Sequence, residues 1–118
     1  MDRIAFYGNI KTGDSEAVSR LLRDWLKTEQ LDLQVGRVGV EIVHEDEGLY
    51  VYCHEAGAQP GRAPFYLLEG HQDGTLDAAN ARLRELALLC AERNLGCGFE
   101  YVQVNEDGDE VSEQFTVK

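Results

Sequence analysis

The first part of the chain alternates apolar and polar residues and then changes to a helical period. Ile4, Phe6 and Ile10 share one parity, which predicts a strand over residues 3–10. Asp14 or Ser15 is the expected N-cap of a helix that runs to about residue 30. The apolar stripe of this helix has helical spacing and comprises Val18, Leu21, Leu22, Trp25 and Leu26.

The middle of the chain has the composition of a β-hairpin. Residues 31–37 are expected to be a connection, and residues 38–44 alternate Val38, Val40 and Ile42 with other side chains, which predicts a strand. A turn over residues 45–48 and a returning strand over residues 49–54 follow, and the second strand is rich in Val and Tyr. Gly and Pro indicate a loop over residues 55–63.

The last part repeats this order. It predicts a strand over residues 64–69, a loop over 70–74 and a helix over 75–93 that ends near Gly96. One apolar face of this helix carries Leu76, Ala79, Leu83, Leu86 and Cys90. Strands over residues 98–105 and 111–117 are expected to form a hairpin around the turn 106–109.

Both halves therefore read strand, helix, strand, strand, which predicts an α+β fold. We expect one domain of residues 1–118, with an antiparallel or mixed sheet and two helices on one face, in the order β-α-β-β-β-α-β-β. Phe6-Tyr7 and Phe65-Tyr66 stand 59 residues apart, so one interpretation is an internal repeat of two βαββ units, residues 1–56 and 63–118. The other interpretation is chance likeness within a single sheet.

Composition excludes several classes of protein. Apolar residues make up 43% of the 118 residues, enough for a core, but no run approaches the roughly 20 apolar residues of a membrane span. The N-terminus lacks the layout of a signal peptide, so a cytoplasmic protein without membrane contact is expected. Cys53, Cys90 and Cys97 form no Cys-x-x-Cys pair and are odd in number, which predicts reduced thiols.

The net charge is −11, and its distribution is uneven. Residues 1–37 carry six acids and six bases, whereas residues 38–81 carry eight acids and one base. Residues 94–117 carry six acids and no base. The negative charge is thus concentrated in the predicted strands and hairpins, while the helices are balanced.

The segments that resemble catalytic or ligand-binding motifs each lack a required residue. The glycines Gly8 and Gly13 have the spacing of a phosphate-binding loop, but Asp14 occupies the position of the essential Lys and is expected to cap the helix. Residues 105–110 have oxygen ligands at alternate positions, as in a calcium loop, but Thr116 stands where the twelfth-position Glu is required.

The remaining reactive side chains form no pairing visible in the sequence. Cys53 and His54 are neighbours on a predicted strand, so they point to opposite faces, and His44 and His71 lie near strand ends or in loops. We therefore predict no catalytic residue, no metal site and no cofactor, and we expect the protein not to be an enzyme.

The acidic residues form two clusters and are the main functional signal. The predicted partner-binding residues are Glu41, Glu45, Asp46, Glu47, Glu55, Glu100, Glu106, Asp107, Asp109, Glu110 and Glu113. Alternate carboxylates along a strand would lie roughly 6.6 Å apart, comparable to the spacing of DNA charges. The leading hypothesis is an acidic protein-binding module, a DNA mimic or inhibitor that occupies the nucleic-acid site of a basic DNA-binding protein or nuclease. An immunity protein that neutralises a toxin is a close variant.

Two alternatives remain open at this stage. A solvated surface that serves only solubility explains the same acids. A small-molecule site in a groove between two βαββ units is the other, with Tyr50, Tyr52 and Tyr101 as lining residues. Direct nucleic-acid binding is disfavoured because phosphate contacts need Lys and Arg. The sequence predicts no oligomeric state.

Overall fold

The computed structural model describes residues 3–36, 39–57 and 60–117. Its elements, in chain order, are β1 (Arg3–Lys11), α1 (Ser15–Leu26), β2 (Asp32–Val35), β3 (Val40–Asp46), β4 (Leu49–Glu55), β5 (Tyr66–Asp73), α2 (Leu76–Glu92), β6 (Gly96–Val104) and β7 (Phe115–Thr116). The seven strands form one sheet in the order β2-β3-β4-β5-β1-β6-β7, and the pairings between them are antiparallel. The predicted α+β class is confirmed.

Strand β1 lies between β5 and β6, two strands from the second half of the chain. Both β5 and β6 pair with it in antiparallel fashion, so they run parallel to each other and α2 connects them across β1. The division into two βαββ units stays a prediction. The proposed repeat pairs differ in burial, since Phe6 is buried and Tyr7 exposed, whereas Phe65 is half-buried and Tyr66 fully buried.

Both helices pack on the same side of the sheet and enclose one core. Alternate residues of the strands, such as Ile4, Phe6 and Leu68, meet the apolar stripes of α1 and α2 there. The Trp25 ring contacts Phe6 edge-on at a centroid distance of 6.4 Å. Its Nε1 donates a hydrogen bond of 2.8 Å to the carbonyl of Arg82, which ties α1 to α2. Within residues 3–36, 39–57 and 60–117, no helix lies on the opposite side of the sheet.

The ends of the helices follow from local chemistry. The Asp14 carboxylate accepts hydrogen bonds from the backbone N–H groups of Glu16 and Ala17 at 3.0 and 3.2 Å, so its predicted capping role is confirmed. Helix α1 ends at Leu26, earlier than the predicted residue 30, because Lys27 adopts the left-handed conformation with φ 55°. Thr75 caps α2 by accepting from the N–H of Ala78.

Four further boundaries differ from the sequence prediction. The expected connection 31–37 contains β2, in which Leu33 and Val35 alternate with Asp32 and Gln34 although all four residues are exposed. Strand β5 continues to Asp73, through most of the expected loop 70–74, because these residues pair with both β1 and β4, and Gly70 lies beneath the buried Phe6 ring. The predicted strand 111–117 is limited to β7, and the predicted turn 45–48 is shorter because Glu45 and Asp46 belong to β3. The predicted start of that strand, Val38, lies outside the described residues.

Candidate functional site

The side of the sheet that faces away from the helices is here called the open face. Its inner part consists of Ala5, Tyr7, Asn9, Glu41, Val43, Glu45, Tyr50, Tyr52, His54, Leu67, Glu69, His71, Gly98, Glu100 and Val102. Strand pleating places these residues on one side because they have opposite parity to the core residues. Apart from Val102, which is buried, they are partly or fully accessible.

A row of alternating tyrosines and glutamates crosses the centre of the open face. The strand register places Tyr52 opposite Glu69, Glu69 opposite Tyr7, and Tyr7 opposite Glu100. Adjacent strands lie about 4.8 Å apart, so Glu69 and Glu100 are roughly 10 Å apart at the backbone with the Tyr7 ring between them. Carboxylates and aromatic rings are thus presented together, although their residues are distant in the chain.

Aromatic and imidazole rings fill the adjoining part of the open face. Tyr50 stacks on His71 with a centroid distance of 5.4 Å, and Tyr52 stacks on His54 at 4.9 Å. Both histidines of the open face, His54 and His71, are half-buried. The stacked rings reduce the rotational freedom of these side chains before any partner binds.

The open face is uniformly acidic in its interior. Its inner part, as defined above, contains Glu41, Glu45, Glu69 and Glu100 but no Lys or Arg. The nearest cations of the same face on β1, Arg3 and Lys11, stand at the two ends of that strand. The field over the centre of the face is therefore negative, which favours cationic partners.

Burial and the negative charge of the open face raise the pKa of two of its tyrosines. Burial, the negative charges of Glu100 and Glu110, and a hydrogen bond to Glu100 raise the pKa of Tyr7. Burial and the carboxylate of Glu41 raise the pKa of Tyr52 in the same way. Both hydroxyls therefore remain protonated and able to donate to carboxylates.

The pKa of His71 is set by burial and by nearby charges of both signs. Burial lowers the pKa of its imidazole, and the positive charge of Arg3 adds to this effect, while Asp73 and Glu45 act against it. The neutral imidazole is therefore favoured in the folded protein, which preserves its stacking on Tyr50 without introducing a positive charge into the face.

A shallow cavity of about 360 Å³ lies on the open face beside the Tyr–Glu row. Its walls include Tyr7, His54, Leu67, Glu69 and Glu100. Asn9 also lines it, and its Oδ1 is buried without a hydrogen-bond partner among the described residues. Since Asn9 Oδ1 and the two carboxylates are all acceptors, the cavity suits a group with several N–H donors, such as a guanidinium or an ammonium.

The acidic turns emerge from one end of the sheet, here called the acidic end. Asp46 and Glu47 lie at the turn between β3 and β4. The pairings of β4 and β5 place Asp46 level with Ile4, next to the start of β1. Arg3 in turn pairs with Val104, the last residue of β6, after which the acidic connection begins. The two turns are thus about 19 Å apart, four strand spacings.

The connection after β6 is ordered by its own side chains. The Asn105 Oδ1 accepts hydrogen bonds from the backbone N–H groups of Asp107 and Asp109, both at 3.0 Å. This Asx-type turn uses the oxygen that a calcium loop would offer to the ion. Among the described residues no group of three or more His, Cys, Asp or Glu side chains could hold a metal ion.

The structure distributes the eleven predicted acidic residues over four places. Glu41, Glu45 and Glu100 belong to the open face. The acidic end carries Asp46, Glu47, Glu106, Asp107, Asp109 and Glu110. Glu55 lies at the opposite end of the sheet, beside Gly39. Glu113 belongs to the segment that runs beside the outer edge of β6. Nine of the eleven are therefore on the open face or at the acidic end.

Two geometric expectations were wrong. Val43 separates Glu41 from Glu45 on β3, and no described strand places carboxylates at consecutive positions of the open face, so the charged array runs across strands and not along one. The tyrosines expected to line one groove do not converge. Tyr50 and Tyr52 lie on the open face, whereas Tyr101 belongs to the core on the helix side.

The two consecutive reactive residues of β4, Cys53 and His54, point to opposite faces of the sheet, as strand geometry predicts. Cys53 is buried on the helix side of β4, while His54 lies on the open face. Burial raises the pKa of the Cys53 thiol to about 12, so it is protonated and unreactive at neutral pH.

Three residues that define the centre of the open face are not among the predicted partner-binding residues. They are Tyr7, Asn9 and Glu69. Their alternation with core residues was visible within each strand, since Tyr7 follows Phe6 and Glu69 follows Leu68. Their juxtaposition depends on the order of β4, β5, β1 and β6, which no local pattern determines.

No relative assigns this geometry a function. Neither a protein-family model, nor a curated protein, nor a solved structure gives a significant match to the chain. No helix in the described part of the chain is long and apolar enough to cross a membrane. The chemistry of the open face and the acidic end is therefore the basis for assigning a function.

Proposed function

We propose that this protein is an acidic binding module that holds a basic protein partner against its open face and acidic end. The observation that carries the proposal is the row Tyr52, Glu69, Tyr7 and Glu100, in which carboxylates alternate with tyrosines and no Lys or Arg intervenes. Binding, not catalysis, is the proposed activity.

The row has the chemistry that recognises arginine. A guanidinium forms paired hydrogen bonds with a carboxylate and also stacks on an aromatic face. Glu69 and Glu100 supply the carboxylates, and the Tyr7 ring between them supplies the aromatic surface. Lysine gains the charge interaction and a weaker contact with the ring. Several basic side chains can therefore bind side by side, each between two strands.

The partner class follows from the extent of the acidic surface. Four inner carboxylates on the open face adjoin two acidic turns about 19 Å apart. A complementary basic surface of this extent is typical of proteins that bind nucleic acid, so we propose a DNA-binding protein, a nuclease or a toxin as the partner. The module would then act as an inhibitor that occupies the nucleic-acid site.

The first test compares two variants with equal charge. Glu69→Gln with Glu100→Gln removes two carboxylates from the Tyr–Glu row, and Glu29→Gln with Glu92→Gln removes two exposed carboxylates outside the open face. The probe is a fluorescent arginine homopeptide, measured by anisotropy between about 50 and about 200 mM salt. We expect about tenfold weaker binding for the first variant and little change for the second.

The outcomes separate a site from a general charge effect. Equal weakening in both variants would mean that any acidic surface attracts the peptide, which contradicts the proposal. For the inhibitor role, the protein is used to capture partners from its own host's lysate, and duplex DNA is added as competitor. Displacement of a basic nucleic-acid-binding protein or toxin by DNA supports the role, and a partner that DNA cannot displace contradicts it.

A further inference from the structure

The two helices are too narrow to cover the helix side of the whole sheet. Seven strands span about 29 Å, whereas two packed helices cover about 20 Å. The edge strand β2 stays uncovered as a result. Its side chains Leu33 and Val35 face the helix side, because Leu33 pairs with the buried Ile42, yet they are 45% and 88% exposed.

A cleft of about 330 Å³ lies between this apolar strip and α1. One wall is apolar and consists of Leu33, Val35 and Val40. The other wall is the side of α1 that carries Ser19 and Arg23, one helical turn apart. The volume is at the lower end of the range for small-molecule sites.

Two residues that line this cleft have a buried polar atom without the partner that buried polar atoms normally have. Ser19 is 6% exposed, and its Oγ has no hydrogen-bond partner among the described residues. The Nε of Arg23 is likewise buried and without a partner there. Burying a hydroxyl and a charged N–H without partners is unfavourable, and a ligand that bonds both removes the penalty. Because the guanidinium only donates, the ligand group must be an acceptor.

We propose that this cleft binds a small amphiphilic carboxylate. The carboxylate accepts hydrogen bonds from the Arg23 guanidinium and the Ser19 hydroxyl, and a short aliphatic chain lies along Leu33, Val35 and Val40. The one acid in the cleft, Glu16, is held by Arg20 at 2.8 Å, which offsets its repulsion of an anion. This inference is independent of the proposed function, since the cleft lies on the other side of the sheet.

The test uses octanoate, below the concentration at which it forms micelles. Binding is followed by amide chemical shifts in NMR spectra of the labelled protein, and affinity by calorimetry. We expect octanoate to shift the amides of Ser19, Arg23, Leu33 and Val35 and to leave the open face unchanged. Octanol and octylammonium should bind at least about tenfold more weakly, because neither offers Arg23 a carboxylate.

Single substitutions then assign the headgroup site. Arg23→Gln should weaken octanoate binding about tenfold or more, and Ser19→Ala several-fold. Arg84→Gln, which removes an exposed arginine of α2, is the matched control and should bind like the wild type. The proposal is overturned if octanoate shifts none of the cleft amides, if octylammonium binds equally well, or if the Arg84 variant weakens binding as much as the Arg23 variant.

Discussion

Gly70 offers a sharp test of the sheet register on which the open face depends. A Cβ added at this position would lie 2.1 Å from the Tyr50 carbonyl oxygen and 2.7 Å from Cζ of Phe6. Neither group can move easily, because one is backbone of the adjacent strand and the other is a buried ring. Overpacking of this kind costs about 1–3 kcal/mol, so Gly70→Ala should lower the free energy of unfolding by about 2 kcal/mol.

Gly98 is the matched control, in strand β6. In the described part of the chain, a Cβ there would meet only Asn9 Oδ1, at 3.9 Å, which is an ordinary contact. Gly98→Ala is therefore expected to be neutral or to stabilise the protein by up to about 1 kcal/mol, because alanine lowers the conformational entropy of the unfolded chain. Urea unfolding followed by the fluorescence of Trp25, the single tryptophan, measures both variants. Equal stabilities for the two variants would refute the register that places Phe6 over Gly70.

Three further predictions concern pH, thiols and a helix cap. The folded-state pKa of His71 is below its unfolded value of about 6.5, so wild-type stability should fall as pH drops from about 7.5 through that value. Urea titrations of His71→Gln should show a smaller decrease. Thiol labelling with mass spectrometry should modify Cys97 first, because burial raises the pKa of Cys53 and Cys90 to about 12. Asp14→Ala should cost about 1 kcal/mol in thermal or urea unfolding.

The sequence predicted the parts of the fold that rest on local periodicity. The apolar stripes of α1 and α2 and the alternation in β1 and β4 reflect a single buried face each, so their residues could be assigned correctly. Strand β2 has only two alternating apolar residues, Leu33 and Val35, which is too short a pattern to predict a strand, and it lies at an edge that the helices leave uncovered. Gly70 was assigned to a loop because its place in β5 depends on the Phe6 ring of another strand.

The candidate site was predictable only in its chemical character. Charge counts showed that acids collect in the strands and hairpins, and most of the predicted carboxylates do lie on the open face or at the acidic end. The decisive row was not predictable. Glu69 and Glu100 flank Tyr7 because β1 inserts between β5 and β6, and that insertion is a property of the whole chain.

The tyrosines of the row distinguish a binding surface from a merely solubilising one. Solubility needs charge but no fixed orientation of the charged groups. Here the hydroxyls of Tyr7 and Tyr52 lie close enough to Glu100 and Glu41 for these carboxylates to raise their pKa, so each hydroxyl can donate to a carboxylate and orient it before a partner binds. The double change Tyr7→Phe with Tyr52→Phe keeps the charge and both rings but removes the hydroxyls.

We therefore expect the Phe variant to bind the arginine homopeptide about three- to tenfold more weakly, with an unchanged dependence on salt, because the hydroxyls that orient the carboxylates are lost while the charges remain. This change corresponds to about 0.6–1.4 kcal/mol, a part of what two hydrogen bonds contribute. Loss of Glu69 and Glu100 should instead weaken the salt dependence. Anisotropy titrations at two salt concentrations measure both quantities. An affinity equal to that of the wild type would show that charge alone attracts the peptide and that orientation of the carboxylates by Tyr7 and Tyr52 contributes nothing.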